Sequence, residues 1–303
     1  MARKSLGSVD WVRVGGECPL NGCVSVVVPA RNEESHIEAC IRSIRVTLAE
    51  GGVQNSEIVV VDDASTDLTS EIAIASGARV IRHREQRGVL SAWASGMGAT
   101  RGELVLFVDA DCLVSEDAFS ALRDSLRDAR VGVACGRSEP FGRRSATLIH
   151  SAGEFSSNLL HSVKSDLVDH AFLPIGRLML LRREAWNVER EDQFPCDWIV
   201  GLGALLKGWG VVYVPSAVVM YAAPASVGES YSDWLRTRKV GKKGAPSFTS
   251  IPRLYLLVKG LRVVVAHPAS FCAWLLVRCF HYARYLTQPT SGTVDWSRWG
   301  RHQ

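Results

Sequence analysis

Apolar residues in the first half of this chain come in short unbroken runs, and each run ends in polar residues of a restricted kind. Val24-Ser25-Val26-Val27-Val28 closes on Pro29 and Ala30-Arg31-Asn32-Glu33-Glu34. Ile58-Val59-Val60-Val61 stops at Asp62-Asp63, and Leu104-Val105-Leu106-Phe107-Val108 stops at Asp109-Ala110-Asp111. Such runs read as strands buried on both faces, as in a parallel sheet. Arg79-Val80-Ile81 and Val131-Gly132-Val133-Ala134-Cys135 read as two more. Between the runs the apolar period lengthens. Ile37, Ile41, Ile44 and Leu48 predict a helix that opens at Glu33-Glu34 and runs to about residue 50, with both acids in its first turn, where they suit the helix dipole. Asp67 is placed to cap a helix that Gly77 stops. Residues 89–100 predict a small-residue helix, and its internal Gly96 and Gly98 argue for close packing on the sheet. Ala118, Phe119, Leu122 and Leu126 predict a helix over 116–127, capped by Ser115. The alternation βαβαβαβαβ implies a parallel sheet with right-handed crossovers and helices on both faces.

Beyond this the pattern is less regular. A helix is predicted over 144–163, a strand at Leu178-Met179-Leu180-Leu181 and a short helical turn at 182–186. A polar loop at 189–195 precedes a helix that Asp197 opens and Lys207-Gly208 ends. Val211-Val212-Tyr213-Val214 and Val218-Val219-Met220-Tyr221 predict two further strands. Residues 252–286 are strongly apolar but broken by Lys259, Arg262, His267-Pro268 and Arg278. No stretch of about 18–20 residues there is free of charge and proline, so two interfacial or buried helices are expected rather than a span. Trp274, Tyr282 and Tyr285 would suit a headgroup boundary.

Composition narrows the picture. At 303 residues, 47% hydrophobic and 22% charged, the chain is of globular type. A net charge of +4 gives no global nucleic-acid footprint. The first residues carry no apolar core behind Arg3 and Lys4, so no secretory signal is expected. The 8 cysteines are scattered, several in apolar runs, and are read as reduced thiols of a cytoplasmic protein.

The candidate chemistry lies in the carboxylates that end the strands. On an extended backbone Asp109 and Asp111 point to the same side, roughly 6–7 Å apart. They repel by about 2–3 kcal/mol at an effective dielectric near 20. Ligands of open α/β sheets bind beyond the carboxyl ends of the strands. A divalent cation there would turn repulsion into coordination, and oxygen ligands suit Mg²⁺ or Mn²⁺.

Five pieces, in order, carry a resemblance: Val28-Pro29-Ala30-Arg31-Asn32-Glu33, Val61-Asp62-Asp63-Ala64-Ser65-Thr66-Asp67, the Arg87-Gly88 helix, Val108-Asp109-Ala110-Asp111, and an aspartate helix before Val211-Val212-Tyr213-Val214-Pro215. From residue 25 to about 238 the chain resembles the family 2 glycosyltransferases. The resemblance implies the GT-A fold: an α/β, Rossmann-like, mostly parallel sheet flanked by helices, here with a C-terminal helical appendage. It divides the chain into a leader (1–22), a nucleotide-sugar-binding half (23–136), an acceptor-binding half with the catalytic base (137–228) and a basic, apolar helical segment (229–303). It implies a nucleotide-sugar donor, usually a UDP-sugar. Pro29, Ala30, Asn32 and Glu33 would line the base and ribose pocket, and Asp62 or Asp63 would hydrogen-bond the uracil or ribose. Arg87 and Ala110 join them as donor-binding residues. Asp109 would reach the ribose or the metal, and Asp111 would bind the Mg²⁺ or Mn²⁺ that bridges the diphosphate.

Asp197 would be the catalytic base, with Glu191 and Asp192 as fallbacks, and one base with direct attack implies inversion. Cys196 stands where family members usually carry glutamate. The glutamine and tryptophan of the processive Gln-x-x-Arg-Trp motif are missing from Trp234-Leu235-Arg236-Thr237-Arg238-Lys239, which argues for a non-processive enzyme. Arg236, Arg238, Lys239, Lys242 and Lys243 form a basic cluster. It reads as a solvated face, as a clamp on the donor diphosphate through Arg236 and Arg238, or as a grip on an anionic, lipid-linked acceptor at the inner face of a membrane. The alternatives are the same chemistry on a soluble acceptor and a nucleotide-sugar binding protein without catalysis.

Overall fold

The computed structural model describes residues 24–141, 147–166, 176–188, 196–224, 226, 228, 230–231 and 263–287. The leader, Glu191, Asp192 and the basic cluster with Arg236 and Arg238 lie outside the described residues.

The elements run β1 (Val24–Ala30), α1 (Ile37–Glu50), β2 (Ser56–Asp62), α2 (Thr69–Ala75), β3 (Arg79–Arg82), α3 (Val89–Ala99), β4 (Leu104–Val108), β5 (Cys112–Val114), α4 (Ala118–Ser125), β6 (Val131–Phe141), α5 (Thr147–Asp166), β7 (Leu178–Arg182), a 3₁₀ turn (Arg183–Ala185), α6 (Cys196–Leu206), β8 (Gly210–Ala222) and α7 (Pro268–Thr287). The strands form one 8-stranded sheet in the order β3-β2-β1-β4-β7-β6-β8-β5. β3, β2, β1 and β4 are mutually parallel, and so are β6 and β8. β7 runs antiparallel to both β4 and β6, and β5 antiparallel to β8.

Alternation along the strands sorts the core to two faces. Val26 and Val28 pack with Ile37, Ile41, Ile44, Phe119 and Leu122, on the side of α1 and α4. Val27, Val59, Val61 and Phe107 pack with Leu90, Trp93, Met97, Val200 and Ala204, on the side of α3 and α6. Full burial of each large side chain contributes about 1.5–3 kcal/mol. Of the two glycines inside α3, only Gly96 meets the sheet: a Cβ there would lie 2.3 Å from Val27 Cγ1, whereas one on Gly98 would meet nothing within 4 Å. At the other end of the chain α7 lies on α5, with Phe155 5.3 Å from Phe271 and 5.4 Å from Trp274 between ring centres.

Three expectations need correction, and one strand was missed. The first helix begins at Ile37, so Glu33 and Glu34 sit in the loop before it. Asn32, with φ 55°, turns the chain there. Side chains from beyond β2 then hold the loop: Asn32 N–H donates to Ser65 Oγ at 3.0 Å and Glu33 N–H to Thr69 Oγ1 at 2.8 Å. The parallel run is interrupted, because β7 inserts between β4 and β6. The two strands read at 211–214 and 218–221 are one strand, in which Gly136 pairs with Val214 and Arg137 with Val218. Pro215, Ser216 and Ala217 bulge out instead of ending the ladder, as a proline inside a strand requires. β5 was not legible at all: its 3 residues are too short to carry a period.

Candidate active site

The parallel strands bring their carboxyl ends to one edge. Ala30 pairs with Asp62, and β1 lies between β2 and β4, so the loops that follow all three strands converge. Pro29 and Ala30 end β1 at this edge, and Ala110, buried, sits between the two aspartates that follow β4.

At the end of β2 the carboxylates turn inward. Asp62 is fully buried; it accepts from Ser65 N–H at 2.7 Å and from the Ser70 hydroxyl, with Arg82 Nε 3.7 Å away. Asp63 accepts from His83 Nδ1 at 2.7 Å, Arg87 N–H at 2.8 Å and Gly88 N–H at 2.7 Å. Burial acts to raise the Asp63 pKa, but the bonds from His83, Arg87 and Gly88 outweigh it and hold the carboxyl below its ordinary value. His83 is itself braced by Ser95, with Nε2 and Oγ 2.9 Å apart. Arg87 thus enters the site through its main chain, and Gly88, with φ 88°, supplies a turn that suits glycine. The N-cap of α2 is Leu68, one residue later than expected; Asp67, just before it, accepts from Thr69 N–H at 3.1 Å and from Glu34 N–H at 3.2 Å, while Leu68 N–H donates to Glu34 Oε2 at 3.1 Å. Asp62 and Asp63 therefore shape the loops at this edge.

At the end of β4 the arrangement is open. The side chains of Asp109 and Asp111 keep 31% and 17% of their surface exposed. With Cys112 they bring possible ligand atoms within 4.8 Å of one another. Cys112 is buried, and its thiol donates to Asp111 Oδ1 at 3.3 Å. Burial and then the two aspartates push its pKa far up, so it stays a protonated thiol. The donor set is thus two carboxylates, which fits a hard divalent cation. Glu33 faces the same region. Burial raises its carboxyl above the ordinary range; its bond with His36, 3.0 Å, works the other way, and the charge of Asp111 adds to the rise.

Arg177 is the residue that sequence reasoning missed. Its Nη1 lies 2.9 and 3.1 Å from the two oxygens of Asp111 and 3.9 Å from Asp109 Oδ2. Its guanidinium stacks over Tyr221 at 4.0 Å. Burial disfavours the cation, but Asp111 and Asp109 more than compensate and raise its pKa. Arg177 precedes β7, and its carbonyl accepts from Asp109 N–H at 3.1 Å, continuing the pairing of Val108 with Leu178. No local pattern links a lone arginine before an apolar run to acids so far back in the chain. Asp197 falls in the first turn of α6, and its side chain is outside the description.

The sequence profile of glycosyl transferase family 2 matches residues 25–186, more than half of the chain. The chain belongs to this family. Among curated relatives, glucosyl-3-phosphoglycerate synthase of Mycobacterium tuberculosis is 44% identical over 98 residues, 30% of this chain and 29% of that protein. The glycosyltransferase EpsJ of Bacillus subtilis is 27% identical over 212 residues, 65% of this chain and 60% of that protein. The chain thus spans less than two thirds of the length of either relative. Among solved structures, the mannosyltransferase PcManGT of Pyrobaculum calidifontis, in complex with GDP-Man and Mn²⁺, superposes with a TM-score of 0.51 at 20% identity, covering 95% of this chain and 80% of that one. The M. tuberculosis synthase with Mn²⁺, UDP and phosphoglyceric acid gives 0.50 at 24% identity, covering 75% and 81%. These likenesses are of fold. The family 2 chain has the GT-A architecture: a mixed, mostly parallel sheet flanked by helices, with helix α7 toward the C-terminus.

Proposed function

We propose that this chain is a non-processive, inverting glycosyltransferase that moves a sugar from a UDP-sugar to an acceptor hydroxyl and depends on Mg²⁺ or Mn²⁺. The observation that carries the reading is the half-open Asp109–Asp111 pair, at the same sheet edge as the 29–33 loop and the Asp63–Arg87 turn. Pro29, Ala30, Asn32 and Glu33 line the base and ribose pocket, and Asp62, Asp63 and Arg87 shape its wall. Asp111, with Asp109, would hold the cation, which supplies charge to stabilise the departing diphosphate when bound. Asp197 takes the proton from the acceptor hydroxyl, for which it must lie within hydrogen-bond reach. Arg236 and Arg238 are assigned to the diphosphate. Support comes from family membership and from neighbours of the same fold that were solved with Mn²⁺ and a nucleotide.

Titration of UDP-glucose and other UDP-sugars, with and without Mn²⁺, tests the donor, and proton NMR of the product's anomeric configuration tests inversion. Asp197→Asn is expected to abolish turnover with UDP binding intact; near-normal turnover would remove Asp197 from its role. Lack of binding and of donor hydrolysis by the wild type, metal included, would leave neither transfer nor donor binding.

A membrane-proximal, lipid-linked acceptor has its own observation. Cys272, Leu275, Leu276, Cys279 and Phe280 form an exposed stripe along α7, opposite the buried Ala273, Val277 and His281. Among the described residues no helix is long and apolar enough to cross a membrane. An apolar stripe close in sequence to the 236–243 basic cluster suits peripheral binding to the inner face of an anionic membrane. Co-flotation with phosphatidylglycerol vesicles, lost in Leu276→Glu/Phe280→Glu, is the expected result. A protein indifferent to vesicles would move the acceptor to the soluble class, to which the phosphoglycerate of the mycobacterial relative belongs.

A further inference from the structure

Asp109 and Asp111 already have a cation. Arg177 is set beside them by main-chain pairing, so its position does not depend on side-chain chance: its carbonyl receives Asp109 N–H. Nη1 spans both oxygens of Asp111, and the Tyr221 ring supports the guanidinium from the other side. Those oxygens are the ones a divalent ion would use. The three charged side chains sum to one negative charge, where the two acids alone would present two. A metal approaching this cluster by itself meets a diminished field, a bridged ligand and a like charge.

A diphosphate changes that balance. It offers a guanidinium the bidentate oxygen geometry that carboxylates offer, with more negative charge. Arg177 keeps 34% of its side-chain surface exposed, so exchange of partners needs no unfolding.

We propose that Arg177 is a built-in counter-ion of the metal site, released from Asp111 when a nucleotide diphosphate arrives, so that cation and nucleotide bind as a coupled pair. The proposal rests on the metal-dependent donor reading given above. Coupling of this kind is reciprocal: whatever factor the nucleotide adds to metal affinity, the metal adds to nucleotide affinity. Tyr221, whose ring lies against the guanidinium, is a positioning residue.

The test is Mn²⁺ binding, read by electron paramagnetic resonance of the free ion, with UDP absent and present and with Mn²⁺–UDP in solution subtracted. Wild type, Arg177→Met, Tyr221→Leu and Asp111→Asn are compared. Without UDP, Arg177→Met is expected to bind Mn²⁺ about tenfold or more tightly than wild type, and the enhancement by UDP is expected to shrink by a similar factor. Tyr221→Leu should move both quantities in the same direction by less, and should serve if Arg177→Met folds poorly. Mn²⁺ alone should also raise the melting temperature of Arg177→Met more than that of wild type. Equal or weaker Mn²⁺ binding by Arg177→Met and Tyr221→Leu, while Asp111→Asn abolishes it, overturns the counter-ion and leaves the metal site standing. No Mn²⁺ binding by any variant, with UDP or without, overturns the metal-dependent reading and this proposal together.

Discussion

At the end of β2, Asp62 and Asp63 meet the chain's own donors: the Ser65, Arg87 and Gly88 amides, the Ser70 hydroxyl and the His83 ring. At the end of β4, Asp111 meets a guanidinium and a thiol and keeps part of its surface in water. Both pairs follow an apolar strand of the same parallel group, and both look alike as strings of letters. What separates them is the supply of nearby main-chain donors. The first pair faces a turn and a second loop whose N–H groups need acceptors, and it holds those loops in place. The second pair meets the arginine that leads into another strand, and keeps part of its surface in water within reach of a ligand.

The largest break in the comparison is expected from exchanging the readouts. Asp111→Asn should lower transfer about 100-fold or more, since metal stabilisation of developing charge is worth several kcal/mol, while the urea midpoint stays near wild type. Asp63→Ala should instead cost about 2–4 kcal/mol of stability, because it strands the His83 ring and two amides without their acceptor. Activity assays beside urea unfolding of both variants check this; a destabilised Asp111→Asn with a stable Asp63→Ala would invert the assignment.

Acid sharpens it next. The folded-state pKa of Asp63 lies below its ordinary value of 3.8, so its contribution to stability is complete above that value and is lost as pH falls through the lower, folded one. The gap in unfolding free energy between wild type and Asp63→Asn should therefore close as the pH drops below about 4. A gap that stays constant down to pH 2 would count against it.

The smallest effect is conformational. Ala64, directly after the inward pair, has φ 61°. Left-handed backbone costs a non-glycine residue roughly 1–2 kcal/mol, and the greater freedom of an unfolded glycine returns about half of that. Ala64→Gly should thus stabilise by about 0.5–1 kcal/mol, visible as a small rise in melting temperature. A fall would mean that the loop is not held in strain.

Apart from β5, the order of strands and helices through the first half of the chain was legible in the sequence, as were the two buried faces of the sheet and the carboxylates at the strand ends. Period 2 against period 3.6 reports which side of an element is buried, and strand ends in an α/β chain report where ligands gather. Val26 and Val28 against Val27, or Ile37 and Ile41 in α1, needed no partner to be assigned a face. What the pattern does not carry is which element lies next to which. Leu178–Arg182 reads as a buried strand in either direction and beside any neighbour; only the folded sheet inserts it antiparallel between β4 and β6. That insertion brings Arg177 to Asp109 and Asp111, and the pairing of β5 with β8 sets Tyr221 opposite Cys112. Local periodicity arises from contacts within a few residues. The charge balance of the site arises from strand neighbours far apart in the chain, and it exists only once the sheet has chosen its order.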